Sequence, residues 1–242
     1  MREKPTMIVL GIETATERLG AALIADGTVR ERHIDSRSSH CELLTGFIVD
    51  ITEEAGIELR DVEGIAVSIG PGSFTGLRIG IATAMGLAYG LGIETTGVNT
   101  LAGLAWKAAG PGALVCPVID ARRSEAYTAV YRLPEDGLPE TVLEARAVPI
   151  AKLGEMLAGY GEPVTVTGPA VGLFRETLER ATGASLVFRP PGESKPSAVS
   201  IAETGAVLFD RGMGGSPAAL TPLYLRRSDA ELARDRKRRS TC

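Results

Sequence analysis

The sequence predicts an α/β protein built of two similar lobes, each a mixed sheet with flanking helices. Three observations predict it. Strand-period runs joined by tight turns open both halves, helix-period runs alternate with the later strands, and the pattern restarts around AAGPGA, Ala108 to Ala113. At 242 residues and 44% hydrophobic content the chain can bury a sizeable core, either as one large domain or as two lobes. The expected division is an N-terminal lobe over 1–109, a C-terminal lobe over 110–225 and a basic tail over 226–242.

In the first half, MIVLGIE (Met7 to Glu13), GAALIADG (Gly20 to Gly27) and TVRERHI (Thr28 to Ile34) read as three strands. Asp26-Gly27 suits a tight hairpin between the last two. SSHCELLTGFIVDITEEAG then places Leu43, Leu44, Phe47, Ile48 and Ile51 at helical spacing, with Ser39-x-x-Glu42 as a capping box and Gly56 as the stop. EGIAVSIG is a buried strand, Ser68 to Gly92 leads into an apolar helix, IETTGV is another strand, and Asn99 or Thr100 caps a helix to about Ala109. The first half reads βββαβαβα. In the second, LVCPVIDARRSEAYTAVYRL forms two strands about a turn at Ala121 to Ser124. A strand at Thr141 to Val148, a helix at Ala151 to Tyr160, the strand VTVTG, a helix from Gly172 to Ala181, SLVF and the helix SAVSIAETGAVLFDRG follow.

Composition narrows the function classes. A net charge of -4, from 26 basic and 30 acidic residues, provides no global basic field, so any RNA contact must be local. Cys41, Cys116 and Cys242 are odd in number and widely spaced, and no signal-type apolar core precedes the first strand, so the cytoplasm is expected. The longest uncharged apolar run, Ile79 to Ile93, is too short and glycine-rich for a membrane span.

Ser68 to Gly92 holds seven glycines. It fails as a Walker A loop, because Thr75 stands where the second glycine belongs and the nearby cation is Arg78 rather than a lysine beside it. The dinucleotide pattern fails too, its third glycine arriving one place late at Gly76. The helix N-terminus at Ser73 to Gly76 could still take an anion through its amides. Gly72, Gly76 and Gly80 recur every four residues, and Gly86 and Gly90 repeat the spacing, which places each series on one face. Each helical glycine costs roughly 1 kcal/mol relative to alanine, so close packing must compensate. A helix apolar all round is either the central helix of a monomer or one that lies on its own sheet and on a partner. In the second case the candidate interface is Gly76, Ile79, Gly80, Thr83, Gly86 and Leu87, with Leu44, Phe47, Ile48 and Ile51 of the preceding helix.

Glu13-Thr14-Ala15-Thr16 and Asp120-Ala121-Arg122-Arg123 follow the first strand of each half, so an acid stands at the same point twice. In a two-lobed phosphotransferase these turns would face each other across a cleft. Neither has a central glycine, and Arg122 and Arg123 are bulky, which obstructs close backbone approach to phosphate. Structural roles for both acids stay open. No metal site is expected, since the only histidines are His33 and His40 and Leu44 stands four residues after His40. The run Arg226 to Ser240 has seven basic and three acidic residues, read either as a solvated end or as a contact to phosphate through Arg236, Lys237, Arg238 and Arg239.

The stretches GIETAT, SIGPGSFTGLRIGIATAMGLAYGLG, GVNTLAGLA, PVIDARRSEAYTAVY and LTPLYLRRSDA resemble the TsaB family of bacterial tRNA threonylcarbamoyladenosine biosynthesis proteins. The resemblance covers nearly the whole chain and is most specific at Gly70 to Gly80, GPGSFTGLRIG. It implies the two-lobed actin, sugar kinase and Hsp70-like fold. It also implies a non-catalytic partner of the paralogue TsaD, within a complex that includes TsaE, binds tRNA and modifies the adenosine beside the anticodon. ATP and metal are then expected in TsaD and no cofactor in this chain, which could pair with a second copy of itself when isolated. Thr167 to Gly172 resembles a loop that approaches adenosine in nucleotide-binding relatives, so Glu13, Thr14, Thr16, Asp120 and Gly168 become a remnant nucleotide site. The alternative is an independent ATP-dependent small-molecule kinase or carbamoyl transferase of the same fold.

Overall fold

A computed structural model describes residues 7–35, 40–181 and 185–226. The first half contains β1 (Val9–Glu13), β2 (Arg18–Ala25), β3 (Thr28–Asp35), α1 (His40–Ala55), β4 (Gly64–Gly70), α2 (Phe74–Leu91), β5 (Glu94–Asn99) and α3 (Thr100–Ala105). The second contains β6 (Leu114–Asp120), β7 (Glu125–Arg132), β8 (Glu140–Pro149), α4 (Ile150–Ala158), β9 (Val164–Thr167), α5 (Val171–Ala181), β10 (Leu186–Phe188) and α6 (Ala198–Asp210). Both halves follow the order βββαβαβα. Their sheets repeat one topology, β3-β2-β1-β4-β5 and β8-β7-β6-β9-β10, with an antiparallel hairpin pair on one side of the first strand and parallel neighbours on the other.

The hydrophobic alternation of the strands decides what covers each face. Leu10, Ile12, Ile65 and Val67 point to α1 and α2, while Val9, Ala66 and Val98 point to α6. In the second sheet Cys116, Val118 and Val130 point to α4 and α5, while Val115, Ile119, Ala129 and Tyr131 point to α3. The result is five layers in which the last helix of each half covers the sheet of the other. Thus α6 lies on the first sheet although it falls within the 110–225 segment.

End signals place most elements. Asn99 caps α3 by accepting from the Leu101 N–H at 2.8 Å. That helix stops four residues earlier than expected, where Trp106 turns its indole N–H onto Glu203 of α6 at 2.6 Å. Ser73 caps α2 by accepting from the Gly76 N–H at 3.2 Å, and Gly92 closes it in the left-handed region. Ser39, and with it the expected capping box, lies outside the described residues. Among the described residues α2 alone has the length and apolarity of a membrane-crossing helix, and its inner side packs on β4.

The glycines in and just before α2 divide into two sets. A Cβ on Gly72 would strike the Ala15 carbonyl oxygen, on Gly76 the Thr14 carbonyl oxygen, and on Gly80 the Thr14 hydroxyl. A Cβ on Gly86 or Gly90 would meet nothing within 4 Å among the described residues. The interface expected from sequence is therefore corrected: Gly76 and Gly80 face this chain's own β1 turn, and Leu44, Ile48 and Ile51 are buried in its core. Their apolar stripe is satisfied by the sheet. Phe47, Ile79, Thr83 and Leu87 are half-buried, and Gly86 is exposed. Gly76→Ala should lose about 1–3 kcal/mol of stability by overpacking against backbone. Gly86→Ala should gain about 0.5–1 kcal/mol through helix propensity. Urea midpoints followed by circular dichroism should move in opposite directions for the two variants.

Candidate functional site

A cavity of about 620 Å³ lies between the two sheets. Four chain segments at strand or helix ends form its walls: Ala15–Glu17 after β1, Pro71–Phe74 at the start of α2, Asp120–Arg123 at the end of β6, and Pro169, Ala170 and Leu173 at the start of α5. Leu223, Tyr224, Leu225 and Arg226 complete it. Its position follows from the repeated topology, because the C-terminal ends of the parallel strands of both sheets open toward the same space.

The first wall is tied together by one backbone bond and one bond to a side chain. The Ser73 N–H donates to the Ala15 carbonyl at 2.6 Å, and the Thr14 N–H donates to Ser68 Oγ at 3.3 Å. Glu13 sits behind this wall, fully buried, with Oε1 accepting from the Ala15 N–H at 2.6 Å and Oε2 without a hydrogen-bond partner among the described residues. Burial pushes its carboxyl up to about 7, against the opposing pull of donors at Ala15, Ser68 and Thr16.

The second wall is strained. Arg122, Arg123 and Ser124 follow one another at φ of 65°, 57° and 59°, a left-handed path that costs about 1–2 kcal/mol per non-glycine residue. Local bonds hold it: Ala121 N–H to Glu125 O at 3.0 Å, Glu125 N–H to Arg122 O at 3.1 Å, and Ile150 N–H to Ser124 O at 3.0 Å. Asp120 takes part through both oxygens. Its Oδ1 accepts from the Arg122 N–H at 2.7 Å, and its Oδ2 pairs with the Arg122 guanidinium at 3.2 Å.

Of the five residues expected at a remnant nucleotide site, Thr16 and Asp120 line the cavity. Glu13 and Thr14 are buried beneath it, and Gly168 lies under its edge, where a Cβ would strike the Val118 carbonyl oxygen. One acid is desolvated behind the wall, the other is engaged by its own turn, and among the described residues no three His, Cys, Asp or Glu side chains group as a metal site. Sequence reasoning missed Phe74, Tyr127, Tyr224 and Arg226 as lining residues. The last two fall in LTPLYLRRSDA, marked in the sequence by resemblance and, for Arg226, by the start of the basic run. Arg236, Lys237, Arg238 and Arg239 lie outside the described residues.

Comparison with known proteins now bears on this geometry. A family model described as TsaD, tRNA N6-adenosine threonylcarbamoyltransferase, matches residues 34–183. The tRNA threonylcarbamoyladenosine biosynthesis protein TsaB of Escherichia coli is 34% identical over 231 residues, covering 93% of this chain and 96% of that protein. Its Bacillus subtilis namesake is 30% identical over 226 residues, again covering 93% and 96%. The chain belongs to the TsaB family. The structure of YeaZ from Pseudomonas aeruginosa superposes with a TM-score of 0.78 at 27% identity, covering 90% of this chain and 100% of that one. This TsaB family member has the two-lobed actin, sugar kinase and Hsp70-like fold, each lobe a mixed five-stranded sheet with flanking helices.

Buried Glu13 makes stability depend on pH. The folded chain holds this proton up to about pH 7, whereas the unfolded chain releases it near 4.5, so the folded state binds more protons in between. Its contribution therefore falls as pH rises from about 4.5 to 7 and is constant above. Glu13→Gln should remove a fall of up to about 3 kcal/mol across that window, at roughly 1.4 kcal/mol per unit. Urea unfolding of both proteins at a series of pH values from 4.5 to 8 checks it, the variant showing the flatter profile.

Proposed function

We propose that this chain is a non-catalytic subunit in the formation of threonylcarbamoyladenosine beside the anticodon of tRNAs reading codons that begin with A. It acts by pairing with TsaD through the outer face of α2. One observation carries this reading: Gly86 and Gly90 sit within a long helix with open space where a side chain would be. Gly72, Gly76 and Gly80 have their reason in the β1 turn, but these two have none among the described residues. A second backbone approaching closely would supply it. Ala82 is exposed on the same face, Tyr89 is 58% exposed, and Val49 on neighbouring α1 is 50% exposed.

The match of this chain to the TsaD family model supports the choice of partner. A partner of the same fold would let an isologous pair and a pseudo-symmetric heteropair use one geometry. An interface of ordinary size buries about 800 Å² per partner. In this reading ATP and metal are held by TsaD, TsaE joins the cytoplasmic complex, and tRNA meets this chain through it, with Arg236, Lys237, Arg238 and Arg239 adding a contact to phosphate. The isolated chain pairs with a second copy through the same face.

An independent ATP-dependent enzyme is the second reading, favoured by the size of the cavity, which is within the range of small-molecule sites. Two measurements separate them. Gly86→Arg and Tyr89→Asp, each placing charge on the exposed face without entering the core, should weaken capture of TsaD at least tenfold while circular dichroism stays unchanged. Wild-type affinity in both would overturn the α2 interface. The isolated chain should show no steady ATP hydrolysis, and hydrolysis abolished by Asp120→Ala would favour the enzyme.

A further inference from the structure

Residues Leu223 to Arg226 line the cavity and touch both of its walls. On the first wall the Leu223 N–H donates to the Ile69 carbonyl at 2.7 Å. Gly70, at φ of 117°, makes room for this, since a Cβ there would lie 2.6 Å from the Leu223 carbonyl oxygen. The Tyr224 ring stacks on Phe74 with centroids 4.5 Å apart and planes 25° apart. Arg78 lies 3.9 Å over the Phe74 ring and donates its Nε–H to the Tyr224 hydroxyl at 3.2 Å. On the second wall the Arg226 guanidinium donates to the Ala121 carbonyl at 3.2 Å and pairs with the Glu125 carboxylate at 3.3 Å. Ala121 and Glu125 bracket the three left-handed residues.

We propose that Leu223–Arg226 is a clasp that sets the opening of the cleft by tying the first turn of α2 to the strained turn after β6. Arg226 is two positions after Tyr224, a reach of about 7 Å, so slack at one end is felt at the other. The left-handed turn persists only while surrounding bonds outweigh its strain, and Arg226 supplies two of them. Releasing Tyr224 from α2 therefore loosens Arg226, and with it a turn on the opposite wall. The clasp is a property of the isolated chain and does not rest on pairing with TsaD.

The test is native-state hydrogen exchange on the isolated full-length chain. Tyr224→Ala should speed exchange of the Ala121, Arg122 and Glu125 amides at least tenfold, although the substitution is on the other side of the cleft. Arg226→Ala should speed the Ser73 and Leu77 amides in the reverse direction. Leu10 and Val67, in the first sheet, report global opening and should be unchanged. Should Tyr224→Ala fail to fold, Arg78→Ala, on an exposed side chain, provides the same release. Unchanged exchange at 121–125 in the folded release variant overturns the clasp, and so does an equal rise at Leu10 and Val67, which would mean general destabilisation.

Discussion

The contact between the β1 turn and the glycine row of α2 is the constraint on which the arrangement of the first lobe depends. Ser73 gives its amide to Ala15 at 2.6 Å, and Gly72, Gly76 and Gly80 let the helix settle against the Thr14 and Ala15 backbone. With that row pinned inward, the 3.6-residue repeat leaves Ala82, Gly86 and Tyr89 facing outward. The same contact aligns the helix start with the cavity wall and presents Phe74 and Arg78 to Tyr224. One close backbone approach thereby orients both the outer surface and the cleft.

Much of this was legible in the sequence because it is encoded locally. Strand alternation, the Asp26-Gly27 hairpin and the Asn99 cap each act within a few residues, and all recur in the structure. The partition of the α2 glycines was not legible. An apolar stripe such as Leu44, Ile48 and Ile51 has the same period whether it meets a sheet or a partner, and only the packing of α1 on β2 decides. The left-handed run at Arg122–Ser124 was equally hidden, because none of its residues is a glycine. Tyr224 reaches Arg78 across 146 positions, a separation at which no local pattern survives.

The two halves also illustrate how one topological position acquires different chemistry. Glu13 and Asp120 both end the first strand of a βββαβαβα unit, yet one is sealed behind its wall with an orphan oxygen and the other is exposed enough to be paired by a neighbouring guanidinium. Repetition of the fold carries the carboxyl groups to equivalent places. The residues after them, Thr14-Ala15-Thr16 in one case and Ala121-Arg122-Arg123 in the other, decide whether those groups meet solvent.

The exchange of α3 and α6 between sheets has a consequence during synthesis. The inner face of the first sheet, with Val9, Ala22, Ala66 and Val98, is covered by a helix that begins at Ala198, about 100 residues after β5 ends. At about 5–20 residues per second the ribosome needs roughly 5–20 s to deliver it. For that interval the nascent first lobe presents an uncovered apolar sheet, a natural target for chaperones that bind emerging chains. Interruption of translation before residue 198 should thus release a fragment with all its N-terminal strands and without the helix that covers most of one side of them.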